Sequence, residues 1–338
     1  MGGRGPRPRA RAPRRRAGRR AGDDPRGLRG ELRRGEFRVS VKVYVNVHDL
    51  KGFSIKNCPV MEEPSGVLMC APDHYQVLTV KNPYMRGHIG GVDLPKARRQ
   101  WAEVKEAFDS AGCPVSLIAP TPGLEDMVFC ANQSLAGTRP DGQKVALIAA
   151  MRHVSRRREV EAFEAWYAER GYRVVKLKPG GHATFEGSGD TVWHPGRRLL
   201  WGGYGFRTDA EVFTQVAEAF KTPVILLKLV NARFYHLDTC FCPLTPESVL
   251  IYPAAFEAAS LELILKIFPI VVTANETDAV ARMACNASVA RSRTAIVQKG
   301  SLSVANHMHA LGLGVCEVDT SEFIKSGGSV YCLKQLLW

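Results

Sequence analysis

A cycle of three short apolar strands and one amphipathic helix recurs along this chain, and it restricts the fold more than any motif does. Residues 67–71 read as a strand and 95–112 as a helix, with Ala97, Trp101, Val104, Ala107 and Phe108 on one face. Strands at 115–119, 127–132 and 145–149 lead into a helix at 159–170, closed by Gly171. The order recurs as strands 172–177, 184–192 and 199–201 with helix 211–220, then strands 224–230, 234–241 and 249–252 with helix 260–268. Strands 270–273, 279–289 and 294–297 with helix 302–311 make the fourth round. The fifth stops after 315–318 and 329–333, and the strand and helix it lacks are those at 67–71 and 95–112. The simplest arrangement is a closed ring of five such units, sealed by pairing the C-terminal strand with the N-terminal one, which leaves no open sheet edge. The rival, a doubly wound α/β sheet, expects one strand per helix rather than three. No GxGxxG or P-loop pattern follows a strand, and Glu186-Gly187-Ser188-Gly189-Asp190 lies within a strand pattern, a poor phosphate cradle.

The formal charge of +13 misleads about partners. Residues 1–38 hold 14 arginines against 4 acids, so the other 300 residues carry 32 basic and 29 acidic groups. A nearly neutral body gives no reason to expect nucleic-acid or membrane partners. The head is Arg, Gly, Pro and Ala and is expected to be disordered, because it buries too little apolar surface to offset its chain entropy. It reads as a solvated tail, an anion- or nucleic-acid-binding arm, a transit-like leader, or an upstream stretch that the cell does not use. It has no apolar core of a secretory signal. Residues 39–66 form a lead-in whose alternating 39–47 segment is a candidate extra strand, and 67–338 are expected to form one catalytic domain. No run approaches the ~18–20 apolar residues that span a bilayer. Nine cysteines, an odd number without a metal-type CxxC pair, fit free thiols in a reducing cytoplasmic setting.

The unusual residues fall on the second strand of each unit: Asp126 and Asn132, Glu186 and Asp190, His236 and Asp238, and Cys332. In a five-fold ring those strands converge on the axis, so groups some 200 residues apart would face one pocket. On a strand, His236 and Asp238 would share a face and form a proton-handling pair. Cys332 follows Gly327-Gly328, where the backbone can bend sharply and a ligand can come close. Cysteine, histidine and acids together suggest catalysis by a thiolate. The plainer alternative, turn and ladder residues around a structural channel, applies best to Asp126 and Asp190, which flank turns.

Phe185-Glu186-Gly187-Ser188-Gly189-Asp190, His236-Leu237-Asp238-Thr239 and Gly327-Gly328-Ser329-Val330-Tyr331-Cys332 together resemble the guanidino-group-modifying enzymes. This is the pentein superfamily of arginine deiminases, dimethylarginine dimethylaminohydrolases and amidinotransferases. The resemblance covers about residues 67–336 and implies a five-bladed α/β-propeller of ββαβ-type units. It implies that Cys332 attacks the guanidinium carbon to give an amidino-thioether, while His236 protonates the departing amine and then activates water. Glu186 and Asp238 would hold the cation, with Asp238 or its neighbours orienting His236, and no metal or organic cofactor is required. Asn132 stands where the deiminases carry an aspartate. With residues 69–75 and 82–85 it is more similar to the arginine dihydrolases, which convert arginine to ornithine, ammonia and CO2. By match to Gly205-Phe206-Arg207-Thr208 and Ser155-Arg156-Arg157, Arg207 and Arg156 would bind the substrate carboxylate, and Asp126 and Asn82 complete the substrate-binding set.

The expected activity is therefore a cofactor-free cysteine hydrolase of arginine or a methylated arginine, in a chain that could form homo-oligomers. Alternatives within the class are dimethylarginine hydrolysis, arginine deimination to citrulline and amidino transfer. Outside it stands a non-catalytic propeller that binds arginine-like ligands, its basic head docking an acidic partner; a pure binder has no need of the thiol at Cys332.

Overall fold

The computed structural model describes residues 1–2, 41–178, 183–291 and 293–338. The expectations for the arginine-rich head and the first residues of the lead-in concern residues 3–40 and lie outside that description. The chain divides into two units, Met1–Arg38 and Val39–Trp338, and the second holds every element described below.

In chain order this unit opens with β1 (Val43–Tyr44), then β2 (Gly66–Cys70), α1 (Leu94–Ser110) and β3 (Val115–Ile118). There follow β4 (Ser134–Thr138), β5 (Lys144–Ile148), α2 (Glu159–Glu169) and β6 (Arg173–Lys176), then β7 (Thr191–Trp193), β8 (Leu200–Tyr204), α3 (Phe213–Phe220) and β9 (Val224–Lys228). The last two rounds are β10 (Phe241–Thr245), β11 (Ser248–Ile251), α4 (Ala258–Ile267) and β12 (Ile270–Thr273), and β13 (Ser288–Val289), β14 (Thr294–Gln298), α5 (Leu302–Ala310) and β15 (Gly314–Val318). A short α6 (Ser321–Ile324) and β16 (Lys334–Leu337) complete the chain.

These strands build five separate mixed sheets. In each, an antiparallel pair is followed by a parallel partner reached through a helix, as in β4–β5–α2–β6, because a parallel neighbour cannot be reached by a tight turn. The sheet containing β2 and β3 takes its third strand from the other end of the chain: β16 lies antiparallel to β2, with Leu336 opposite Val67 and Gln335 opposite Leu68. The expected pairing of the two ends is therefore present. Among the described residues ahead of β2, Val43–Tyr44 form the one strand, β1. It lies parallel to β9, with Val43 opposite Val224, and adds a fourth strand to that sheet.

Local chemistry sets the element ends. In α1 the Asp93 side chain accepts from the Lys96 N–H, Pro95 occupies the first turn, and the expected stripe from Ala97 to Phe108 is buried. Strands β2 and β4 are buried along their whole length, as sheets covered on both faces must be. Trp201 on β8 packs against Phe241 and Phe268 at ring distances of 5.1 and 5.2 Å. No described helix is long and apolar enough to cross a membrane, and all nine cysteines are unpaired.

One set of expectations is corrected. The strands expected at 127–132, 184–192, 234–241, 279–289 and 329–333 are turns over most of their length, and the true first strands β4, β7, β10, β13 and β16 begin near or beyond their ends. These stretches are apolar because they are buried, and burial alone does not make a strand. Residues 187–189 and 237–239 are 3₁₀ turns, and 277–281 are a π-helical turn.

The C-terminus is tied down by Tyr172, whose hydroxyl donates to the Trp338 carbonyl at 2.9 Å and accepts from the Trp338 N–H at 3.0 Å. Tyr172→Phe should destabilise the protein by about 1–2 kcal/mol, read as a lower urea midpoint; an unchanged midpoint would show that this anchor is not needed.

Candidate active site

Each of these turns sits just before the first strand of its sheet, and three of them, at 127–132, 234–241 and 329–333, present side chains to a common pocket. The pocket, about 330 Å³ with its open mouth, is lined by Asn82, Asp126, Asn132, Arg156, Arg207, His236 and Cys332, and also by Lys81, Met85, Phe129, Tyr235 and 326–328. Seven of the nine residues singled out from the sequence therefore meet on its wall. The other two, Glu186 and Asp238, stand directly behind His236 and Cys332. Gly327 permits the close approach: its φ is +76°, and a Cβ there would lie 2.8 Å from the Tyr235 hydroxyl oxygen.

Two buried clusters make up the reactive side. In the first, Glu186 Oε2 lies 2.7 Å from His236 Nε2 and accepts from Arg207 at 2.9 Å, while its Oε1 accepts the Arg152 N–H at 3.1 Å. In the second, the Cys332 thiol donates to Asp238 Oδ2 at 3.2 Å, and Asn286 Nδ2 donates to Cys332 Sγ at 3.2 Å. The expected His236–Asp238 pair is thus corrected. A 3₁₀ turn over 237–239 advances about a third of a revolution per residue, so the two side chains diverge instead of sharing a strand face. Glu186 takes the imidazole and Asp238 takes the thiol.

Three cationic side chains, Arg207, Arg156 and Lys81, also line the pocket. Arg207 reaches from Glu186 to the Lys81 carbonyl at 2.9 Å and lies 4.6 Å above the Tyr235 ring. Arg156 is held by Glu159 at 2.9 Å and donates to Asn132 Oδ1 at 2.8 Å. Asp126 accepts from Lys81 Nζ at 2.7 Å, and Asn82 donates to the Ser326 carbonyl at 2.9 Å. Asp190 is structural, accepting the Leu237 N–H at 3.0 Å.

Burial dominates the charge states. It pushes the Cys332 thiol well above its ordinary value, with the Asp238 carboxylate adding to the effect, and raises Asp238 to about 7. Burial lowers His236 to about 4 despite its Glu186 partner. Burial would also raise Glu186, but Arg207 and His236 outweigh it and hold that carboxyl well below the usual range. The empty site therefore rests with neutral thiol and imidazole beside an ionised Glu186.

Three lining or supporting residues were not anticipated. Lys81 is an isolated lysine without any local signal. Tyr235 adjoins His236 in sequence. Asn286 is the single polar residue in the otherwise apolar run 283–287 and could have been noticed on that ground.

The fold and pocket define a class: a five-sheet α/β protein with a buried thiol, an imidazole, two carboxylates and two arginines at one pocket. The model of the family described as N,N dimethylarginine dimethylhydrolase, eukaryotic, matches residues 91–335, and the chain belongs to this family of the guanidino-modifying superfamily. The bifunctional arginine dihydrolase/ornithine cyclodeaminase ArgZ of Synechocystis is 38% identical over 277 residues, covering 81% of this chain and 38% of that protein. The chain thus spans well under half the length of that relative. The N(G),N(G)-dimethylarginine dimethylaminohydrolase of Mycobacterium tuberculosis is 34% identical over 264 residues, covering 78% of this chain and 83% of that protein. The solved N-terminal domain of ArgZ, a cyanobacterial arginine dihydrolase bound to product, superposes with a TM-score of 0.76 at 35% identity, over 82% of this chain and 98% of the domain. That domain has also been solved as an Asn-to-Ser variant covalently bound to a reaction intermediate, and as a Cys-to-Ser variant bound to substrate.

The lowered His236 value carries a sign. Between its folded value of about 4 and the ordinary 6.5, the unfolded chain binds more protons, so stability falls as pH drops through that window. Wild type should lose about 2 kcal/mol more than His236→Asn between pH 7 and pH 5. Parallel denaturation curves at the two pH values check this; equal losses would mean that His236 is not buried neutral.

Proposed function

We propose that this chain is a cysteine-dependent hydrolase of the guanidino group that converts arginine to ornithine, two ammonia and CO2 with two waters. The observation that carries this reading is Asn132. Arg156 can only donate, so it fixes the amide with Oδ1 towards the guanidinium. Nδ2 is left buried without a partner on a side chain that lines the pocket. A guanidinium offers only N–H donors, and the Asn132 donor does not grip it as a carboxylate would. A ureido carbonyl accepts, so the same donor holds the product of the first hydrolysis for a second round.

In the proposed sequence the cationic substrate supplies the missing charge. A guanidinium beside Cys332 and Asp238 favours both ionised forms. The Cys332 thiol gives up its proton to His236 and the thiolate attacks the guanidinium carbon; a C–N bond breaks, and His236 passes that proton to the departing ammonia. Water activated by His236 then cleaves the C–S bond to give the ureido group. A second attack by Cys332 expels the second ammonia, and hydrolysis leaves a carbamate that breaks down to ornithine and CO2. Glu186 orients His236, Arg156 fixes the Asn132 amide, and Arg207 is the candidate for the substrate carboxylate. We also propose that residues 67–338 form a single catalytic domain whose five sheets are the blades of a closed propeller, the β16–β2 pairing being the observation that favours closure. A cytoplasmic setting accords with its nine free thiols.

A second reading is dimethylarginine hydrolysis to citrulline and dimethylamine, favoured by the family match and the mycobacterial relative. Incubation of the purified protein with arginine, followed by amino-acid and ammonia analysis, separates the two. Ornithine with two ammonia per arginine is the expected result. Citrulline alone would overturn the double hydrolysis, and turnover of dimethylarginine but not arginine would establish the second reading. Cys332→Ser should lower turnover by at least about a thousandfold while substrate affinity changes by less than about tenfold, or ~1.4 kcal/mol. Asn132→Asp should divert product towards citrulline, and an unchanged product ratio would remove Asn132 from its role.

A further inference from the structure

We propose that Asn286 is a further catalytic residue, whose side-chain amide builds the nucleophile's turn and donates an N–H to the Cys332 sulfur to favour the thiolate. The inference rests on Cys332 being the nucleophile. Asn286 is wholly buried, and both halves of its amide are committed. Oδ1 accepts the backbone N–H groups of Ser329 at 2.9 Å and Cys332 at 3.2 Å. Nδ2 donates to the Asp238 carbonyl at 2.9 Å and to Cys332 Sγ at 3.2 Å. The Asn286 carbonyl in turn accepts the Tyr331 N–H at 2.9 Å. One side chain therefore ties the 237–239 turn, which carries Asp238, to the turn that carries Cys332.

A clamp between the two turns would need only Oδ1 and the N–H to the Asp238 carbonyl. The second N–H is spent on sulfur. A thiol is a weak acceptor and a thiolate a strong one, so this contact is worth more after ionisation than before it. It opposes burial and the Asp238 carboxylate, which both favour the neutral thiol. The other titratable groups facing the sulfur are Tyr235 and Tyr331, both neutral phenols, and Lys334, which follows Cys332 on β16. Of the side chains around it Asn286 alone donates to Sγ, and the Ser329 backbone adds a further hydrogen bond that favours the thiolate.

The backbone ahead of Asn286 is unusual in a way that suits placement. A π-helical turn over Thr277–Ala281 runs into Met283, which has φ +46°, and the Asn286 N–H donates to the Met283 carbonyl at 2.8 Å. π-helical turns and non-glycine residues in the left-handed region are both costly and collect at functional sites.

The test uses the full chain as wild type, Asn286→Ala and the isosteric Asn286→Asp, which keeps the Oδ1 acceptor but loses the donors. Alkylation of Cys332 by iodoacetamide is followed by peptide mass spectrometry across pH without substrate, and kcat and KM for arginine are measured on the same proteins. Below its titration midpoint the alkylation rate follows the thiolate fraction. It should fall tenfold or more in both variants, further in Asn286→Asp, with the midpoint moved up by a pH unit or more. A matching loss in kcat should shrink as pH rises, with KM changed less than threefold. A folded Asn286→Asp with an unchanged alkylation profile would overturn the proposal and leave Asn286 a structural clamp. If neither variant folds, the Asn286 side-chain amide proton is followed by NMR in wild type. It should move downfield as Cys332 ionises and stay fixed in Cys332→Ala, and an unmoved signal in wild type overturns the proposal. Should Cys332→Ala keep full turnover, the nucleophile assignment fails instead, whatever Asn286 does to alkylation.

Discussion

The pairing of four C-terminal residues with four near the start of the folded unit is the constraint on which the site depends. β16 places Lys334 to Leu337 against Gly66 to Met69, and Cys332 sits in the turn that delivers the chain into that strand. Its position is thereby fixed against turns from other sheets, above all the one carrying Asp238. Without the pairing, the thiol would be at the end of a free tail with neither Asp238 nor Asn286 in reach. The double hydrogen bond between Tyr172 and Trp338 extends the same anchorage one residue beyond the strand.

Once the turns are held together, desolvation decides the chemistry. Glu186, His236, Asp238 and Cys332 are all buried, and burial pushes each towards its neutral form. Only Glu186 escapes, because Arg207 and His236 both contact Oε2 and outweigh the burial penalty. The result is a site whose thiol and imidazole rest neutral, with an ionised Glu186 one layer behind them. Such a site discriminates for cations: an arriving guanidinium gains from the ionised thiol and carboxylate that its own charge stabilises, while a neutral solute gains nothing comparable. Stray electrophiles meet a thiol rather than a thiolate for the same reason.

Much of this was legible in the residues, and what was not has a physical reason. The repeat of three strands and a helix can be read because the helices keep a clear apolar stripe, as Ala97 to Phe108 do in α1, and because the outer strands are short apolar runs. The convergence of Glu186, His236 and Cys332 followed from that repeat. The turns were misread as strands because a fully buried turn and a fully buried strand have the same composition; only the glycines of 187–189 hinted at the difference. That error carried into the chemistry. Treating 234–241 as extended put His236 and Asp238 together, whereas the 3₁₀ turn sends one to Glu186 and the other to Cys332. Asn286 and Lys81 escaped notice because their value lies in contacts across more than 40 residues, which no local spacing records.

Asn132 shows how a substrate preference can rest on a residue that does not touch the reacting atoms first. Arg156 is buried at the end of a 3₁₀ turn, and the carboxylate nearest to it, Glu159, lies three residues on at the start of α2. Gln133 donates to that carboxylate at 2.7 Å as well, so the cation at this end of the pocket is already compensated. Asp126 Oδ2 also lies 3.9 Å from Arg156, so an aspartate at 132 would add a third carboxylate beside it and give substrate and arginine a shared anion. The amide instead leaves Arg156 paired within the protein and leaves a lone buried donor, Nδ2, packed beside Gly189. In the proposed reaction cation binding would fall to the carboxylate behind Cys332, and the donor would become useful only once the guanidinium has lost its first nitrogen and exposes an oxygen. In the proposed double hydrolysis the neutral residue would separate holding the substrate from holding the first product, the division of labour that two successive hydrolyses on one carbon require.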